Sequence, residues 1–402
     1  MKKVRTCHSC GSVELLPFLS FGHLPIPEVL ALDRLEVQET RRPLELGFCK
    51  RCTLVQLLGD SAFDPARPSS RPSPLGGLLT ELLLEAGARV LCLQSVPAED
   101  LQKLRQRGIE VLYIEPVPER ARQAQAKGIP TRSEIFGRAS AERLRDEHFR
   151  ADLILLGQSL AHAADLNAYL EGLSFLLSER GTLLLGLPDL RAWLETRRFD
   201  RFSQRWTHYL SVHALQDLLR RHGLWLNGLT PAGDGELRAR AGRVRATEPA
   251  VAEYLSDERR LGLTGMLYYQ EFASSVASVR EALLALLSEL KTKGRRIAAY
   301  GAGEAGSLML NFVGLGREVI EFVVDEDTAR QGRYLPGVRV PIYAPARLLE
   351  ERPDYLLVLG NHAEALQNSE YARRGGRLIV PLPFPEIVNP AAVVGKVVSH
   401  ER

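Results

Sequence analysis

Two Cys-x-x-Cys knuckles, Cys7-x-x-Cys10 and Cys49-x-x-Cys52, open this 402-residue chain. Two thiolates at that spacing bind one tetrahedral metal ion, and two such pairs complete the sphere of a structural Zn²⁺. A closed set of four sulfurs leaves no position for water or substrate. Its expected role is to fold a small zinc-binding module over residues 1–62, with Cys7, Cys10, Cys49 and Cys52 as metal ligands. Two disulfides would satisfy the same spacing in a secreted protein. His8, inside the first knuckle, is a possible substitute ligand; beside four cysteines it reads as a surface residue.

Several features favour zinc over disulfides. No apolar stretch follows Met1-Lys2-Lys3-Val4-Arg5 before Cys7, so no secretory signal is read. No apolar run approaches the roughly 18–20 residues that span a bilayer. The fifth cysteine, Cys92, lies in Arg89-Val90-Leu91-Cys92-Leu93 and reads as a buried free thiol. A cytoplasmic, reducing setting is the expectation. With 52 basic residues against 49 acidic ones, neither a nucleic acid nor a membrane is indicated as partner, and a small-molecule ligand is expected.

The stretch Asp64-Pro65-Ala66-Arg67-Pro68-Ser69-Ser70-Arg71-Pro72-Ser73-Pro74 carries too many prolines for a helix interior or a central strand, and reads as a linker. Strands and helices then alternate through a middle domain, residues 75–247. Helices are expected at 78–86, 98–107, 118–126, 164–177 and 213–222, and strands at 89–93, 110–114, 152–156 and 181–187. That rhythm predicts an α/β fold with a parallel, doubly wound sheet. Strands at 225–230 and 236–241 would form its antiparallel edge. Residues 248–293 read as a helical connector, with Val276, Val279, Leu283, Leu284, Leu287 and Leu290 at helical spacing. A second α/β domain, residues 294–402, begins with strand 296–299.

That strand runs into Tyr300-Gly301-Ala302-Gly303-Glu304-Ala305-Gly306, a G-x-G-x-x-G turn opening a helix. Backbone N–H groups at such a turn can cradle a phosphate, and Asp325 ends the next strand, where a ribose-binding acid would sit. The turn can equally serve to pack its helix on the strand. A nicotinamide-dependent oxidoreductase is one reading of this motif; it lacks an identifiable proton donor.

The knuckles, with Pro43-Leu44-Glu45-Leu46 and Cys52-Thr53-Leu54-Val55-Gln56-Leu57, resemble the N-terminal module of the sugar C-methyltransferases. The resemblance runs through Ile114-Glu115-Pro116, Leu160-Ala161-His162-Ala163-Ala164-Asp165-Leu166, Phe199-Asp200 and Tyr209-Leu210-Ser211. It continues through the Gly-rich turn to Gln331-Gly332-Arg333-Tyr334-Leu335-Pro336-Gly337, and so covers essentially the whole chain. It implies a zinc module, a class I methyltransferase domain using S-adenosylmethionine, and a C-terminal Rossmann-like domain joined by a long helix. A keto-sugar nucleotide would bind between the middle and C-terminal domains. On this resemblance Glu115 matches the cofactor's ribose acid and His162 a histidine near the methyl-transfer cleft. Tyr300, Gly301, Gly303, Glu304, Gly306, Asp325, Arg238 and Asn361 are the candidate ligand-binding residues.

The chain departs from that family where chemistry belongs. After its first strand the family carries an acid and a Gly-x-Asn-Asp-Gly-like loop; this chain has Leu93-Gln94-Ser95-Val96-Pro97, without glycine or acid. Side chains there occupy space the family keeps open for the cofactor. The family's His-Glu-His base run is replaced by Gln204, Arg205 and Trp206, none of which accepts a proton near neutral pH. His208 and His162 are the remaining candidate bases. The expectation is a diverged member that binds a sugar nucleotide or similar ligand and has lost methyl transfer. An active methyltransferase with a rebuilt cofactor loop is the alternative.

Overall fold

A computed structural model describes residues 6–59, 75, 84–93 and 96–389. The expected linker at 64–74, most of the helix expected at 78–86, and Gln94 and Ser95 lie outside the described residues; Leu84–Ala86 are not helical. The chain divides into two compact units. One comprises Met1–Phe18, Leu46–Ala192 and Arg205–Tyr269, and the other Leu19–Glu45, Trp193–Gln204 and Gln270–Arg402.

The knuckle cysteines sit beside antiparallel strands. After β1 (Leu15–Pro25) come β2 (Arg41–Cys49) and β3 (Val55–Leu57). Leu46, Phe48, Val55 and Leu57 are fully buried, and Leu46 pairs with Leu57 and Phe48 with Val55.

The doubly wound sheet follows. Its first strands and helices are β4 (Arg89–Leu93), α1 (Ala98–Gln106), β5 (Glu110–Ile114), α2 (Pro118–Ala126) and β6 (Thr131–Arg132). Next come α3 (Arg138–Asp146), β7 (Ala151–Leu156), α4 (Leu166–Leu176) and β8 (Leu177–Pro188). The series closes with α5 (Leu190–Glu195), β9 (His208–Tyr209), α6 (Val212–Arg221), β10 (Trp225–Pro231) and β11 (Glu236–Gly242). The sheet order is β10-β11-β8-β7-β4-β5-β6. Strands β4 to β8 run parallel, and β11 and β10 add the expected antiparallel edge. Val90 to Leu93 are wholly buried, as a central strand covered on both faces requires. Cys92 is among them, a free thiol whose pKa burial pushes up. β9 leaves this sheet and pairs with β3, Val55 opposite Tyr209.

Two boundaries differ from expectation for local reasons. α4 starts at Leu166 rather than 164 because Asp165 caps it, its Oδ1 accepting from the backbone N–H of Asn167 and Ala168 at 3.0 and 2.9 Å. β8 opens four residues early, with Leu177 opposite Ala151, and bulges before Thr182 pairs with Leu153.

α7 (Pro249–Leu261) ends on Gly262 at φ 88°, and α8 (Met266–Thr292) follows. Glu258 of α7 is buried and closes the start of α6. Its carboxylate accepts from the backbone N–H of Val212 and His213 at 2.7 and 2.9 Å, and from His213 Nδ1 at 2.7 Å. Glu258→Ala would strand three donors, the buried Val212 N–H among them. We expect a loss of about 2–4 kcal/mol in urea unfolding, with Glu258→Gln recovering part of it.

The second unit holds β12 (Ile297–Tyr300), α9 (Glu304–Val313), β13 (Val323–Val324), β14 (Ile342–Tyr343) and α10 (Arg347–Glu351). It continues with β15 (Tyr355–Val358), β16 (Arg377–Val380) and β17 (Glu386–Val388). The order is β14-β13-β12-β15-β16-β17, parallel except for β17. Segments remote in sequence join it. Leu30 and Tyr334 exchange backbone hydrogen bonds at 2.8 and 2.9 Å, and Gly337 N–H donates to Glu39. Phe21, Phe199 and Phe312 cluster with ring centres 5.0–6.1 Å apart. Among the described residues no helix is long and apolar enough to cross a membrane.

Candidate zinc centre and ligand cavity

The two knuckles are built alike. Cys7 C=O accepts from Gly11 N–H and Cys49 C=O from Thr53 N–H, both at 2.9 Å. Gly11 and Thr53 each take a left-handed conformation, φ 70° and 60°, which folds the second cysteine back toward the first. The four sulfurs lie within 4.8 Å of one another, with Cys7–Cys52 at 3.4 Å and Cys10–Cys49 at 3.6 Å. Sulfurs tetrahedral about zinc are about 3.8 Å apart, against about 2.05 Å in a disulfide. All four cysteines are free thiols, and burial raises Cys49 to about 11. Four sulfurs in this arrangement, three of them on buried cysteines and one on half-buried Cys10, fit a zinc ion, which would convert them to thiolates.

His8 is not the surface residue its sequence position suggested. It is half-buried, its N–H donates to Gln56 Oε1 at 2.9 Å, and its Nδ1 lies 3.1 Å from His208 Nε2. His208 Nδ1 lies 3.2 Å from Leu160 O. A carbonyl only accepts, so Nδ1 of His208 carries the proton and Nε2 accepts from His8. His208 is 1% exposed, and burial, reinforced by His8, brings its pKa down to about 3. His208, one of the two candidate bases, therefore has both ring nitrogens engaged and no exposed edge. It ties the first knuckle to the turn Ser159–His162.

That turn forms one wall of a cavity of about 300 Å³ at the carboxyl ends of β4, β5 and β7. β4 has β5 on one side and β7 on the other, so the cavity lies at a topological switch point, where open α/β sheets bind ligands. Leu93, Ile114, Phe136, Tyr169, Asp165 and His162 are among its lining residues. His162 donates from Nδ1 to Arg205 O at 2.9 Å, which puts the ring's lone pair on Nε2. Glu115 is buried at the end of β5, and its two carboxylate oxygens accept from Tyr113 OH at 2.6 Å and Val117 N–H at 2.9 Å. Asp165, Phe136 and Tyr169 were not singled out from sequence. Their signal was position: they follow β6 and β7 on the side of the sheet where ligands gather.

The replaced base run is packed into the protein. Gln204 is 3% exposed and its carboxamide donates to Leu24 O and Arg42 O at 3.1 and 2.6 Å. Arg205 is buried. Trp206 is wholly buried, edge-on to His162 at 5.9 Å and tilted on Tyr209 at 5.8 Å.

In the second unit the Gly-rich turn lies at the carboxyl end of β12, between β13 and β15. Gly301 has φ 102°, and a Cβ there would stand 2.7 Å from Leu359 O. A Cβ on Gly306 would stand 2.1 Å from Gly301 O, whereas one on Gly303 would meet only the Arg330 guanidinium at 3.5 Å. Gly301→Ala is therefore expected to cost about 2 kcal/mol or more, and Gly303→Ala under about 1, in thermal unfolding. Asp325, expected to face a ribose, accepts instead from Ala302 N–H at 2.6 Å, Asp327 N–H at 2.8 Å and Arg330 at 3.1 Å. Its carboxylate holds the turn together, and a ribose would have to displace those donors. Tyr300 OH donates to Glu326 at 2.6 Å, and Ser203 donates to Glu304 at 3.1 Å beside a narrow crevice that Gln204 and Asn311 also line. Asn361 is exposed in the loop after β15. Arg238 is half-buried on β11, opposite Gly186, in the first unit.

Family models match the chain in three places: a zinc binding domain over residues 7–62, a methyltransferase domain over 70–226, and a C-methyltransferase C-terminal domain over 232–383. The C-methyltransferase NovU of Streptomyces niveus is 30% identical, over 97% of this chain and 98% of its own length. The chain belongs to the C-methyltransferase family. A TehB-like, S-adenosylmethionine-dependent methyltransferase from Corynebacterium glutamicum is 17% identical, with a TM-score of 0.32, over 42% of this chain and 86% of its own. A Bacteroides fragilis methyltransferase in complex with S-adenosylhomocysteine is 17% identical, with a TM-score of 0.32, over 44% and 78%.

Proposed function

We propose that this chain is a diverged sugar C-methyltransferase that binds a sugar nucleotide or similar small molecule and has lost methyl transfer. The observation that carries this reading is the state of the base positions. Gln204, Arg205 and Trp206 are buried, Gln204 is bonded to backbone carbonyls, and the nearby His208 has both nitrogens committed. Forming a carbon–carbon bond next to a ketone requires removal of a proton from that carbon. None of these four side chains is disposed to take it.

S-adenosylmethionine, when bound, supplies an electrophilic methyl group. The cavity walls formed by Leu93, Ile114 and Tyr169 would pack on its nucleoside. Glu115 would have to share a carboxylate already accepting from Tyr113 and Val117. The glycines that would let backbone approach the methionine end are missing from Leu93-Gln94-Ser95-Val96.

Retained methyl transfer is the second reading, favoured by the position of His162 on the cavity wall. Titration calorimetry with S-adenosylmethionine and S-adenosylhomocysteine separates the two. The proposal expects no micromolar binding of either; tight binding of both would favour the second reading.

A further inference from the structure

Another cavity belongs to the second unit alone. It measures about 510 Å³ and opens at the amino ends of β12, β15 and β16, the edge of the second sheet opposite the Gly-rich turn. Four arginines line it, Arg295, Arg352, Arg374 and Arg377, against one acid, Asp354. Nearby carboxylates answer only part of that charge. Arg295 pairs with Asp354 at 3.3 Å, and Arg374 pairs with Glu370. Glu321 and Glu351, the next acids along this edge, are taken by Arg296, and Glu351 also by Arg347. Among the described residues no carboxylate comes within ion-pair distance of Arg352 or Arg377.

Each unanswered guanidinium is exposed and makes one hydrogen bond to the protein. Arg377 donates to Tyr355 OH at 2.8 Å and lies over the Tyr355 ring, 5.6 Å from its centre. Arg352 takes a left-handed backbone conformation at φ 49° and donates to Leu349 O at 3.4 Å. The wall between them is fixed by Tyr371, whose OH donates to Pro353 O at 2.9 Å. Gly376 permits that packing, since a Cβ there would stand 2.3 Å from the Tyr371 ring. A volume of this size suits a mononucleotide or a smaller phosphorylated molecule. Guanidiniums suit phosphate, which accepts paired N–H bonds.

We infer that this cavity is an anion site for a small diphosphate-bearing ligand, with Arg352 and Arg377 as its principal contacts. It lies at the opposite edge of the sheet from the Gly-rich turn and shares no lining residue with the cavity at β4, β5 and β7.

Titration calorimetry on the full chain tests it, with inorganic pyrophosphate and UDP as probes. Saturable binding of pyrophosphate alone would identify a free-anion site, and tighter binding of UDP a nucleotide site. Both outcomes support the inference only if binding maps to the cavity. Arg352→Ala and Arg377→Ala should each weaken it about tenfold. Arg317→Ala, which removes an exposed charge elsewhere on the same domain, should leave it unchanged. Arg377→Lys keeps the charge and the fold but loses the fork, and should bind between the two. Absence of saturable binding up to about 10 mM would overturn the inference. So would equal weakening by Arg317→Ala, which would reduce the effect to general surface charge.

Discussion

Chelating the zinc will loosen the wall of the β4–β5–β7 cavity as well as the knuckles. The four sulfurs lie within 4.8 Å of one another, so without a cation they revert to neutral thiols packed in an arrangement suited to thiolates. The first knuckle is bonded outward at several points. His8 and Ser9 carbonyls accept from Asn167 Nδ2 at 2.9 and 3.1 Å, Ser9 also accepts from Arg221, and His8 donates to His208. From His208 the bonds reach Leu160 O, while Thr207 N–H donates to Ala161 O at 2.7 Å and His162 to Arg205 O. We expect chelation to lower the melting temperature by about 10 °C or more. Amide exchange should accelerate both in the knuckles and at residues 160–163 and 207, and the fluorescence of Trp206 should change. His8→Ala separates the metal from the link: zinc content should stay full while the 160–163 amides still speed up. Faster exchange confined to the knuckles on chelation would break this account of the wall.

Replacing His208 should be nearly as damaging. His208→Ala removes a wholly buried ring and leaves the His8 N–H and Leu160 C=O without it, for an expected loss of about 3–5 kcal/mol. His208→Gln, which can donate and accept, should recover part of that. The pH dependence has a definite sign. The folded pKa of about 3 lies below the unfolded value of 6.5, so the unfolded state binds the proton more readily. The stability this residue contributes is complete above about pH 6.5. It falls by about 1.4 kcal/mol per pH unit from there toward pH 3. His208→Gln should remove that slope, which urea titrations of both proteins at several pH values would reveal. Identical slopes would show that His208 is not held neutral in the folded chain.

Local pattern carried much of this fold. The apolar runs at 89–93, 110–114 and 152–156 read as strands, and each lies inside the seven-stranded sheet. Gly301 marked its turn because no side chain fits there. Other elements lacked such a signal. α3 buries only Ser140, Ala141 and Leu144 beneath arginines and glutamates, too weak a stripe to announce a helix. β1 and β2 show no clean alternation and lie between turns that resemble loop. The His8–His208 contact joins residues 200 positions apart, and no local spacing encodes such a bond. For the same reason His208 looked like a spare base and Asp325 like a ribose ligand. Residue type and strand-end position were legible, but the donors already committed to them were not.

The central claim is that the chain keeps a C-methyltransferase frame without the proton-abstracting group. Its most direct test is incubation of the zinc-loaded protein with methyl-labelled S-adenosylmethionine and a panel of keto-sugar nucleotides, read by mass spectrometry of the sugar. We predict no methylated sugar above the protein-free background. Enzyme-dependent carbon methylation that disappears in His162→Ala would contradict the claim and make His162 the base.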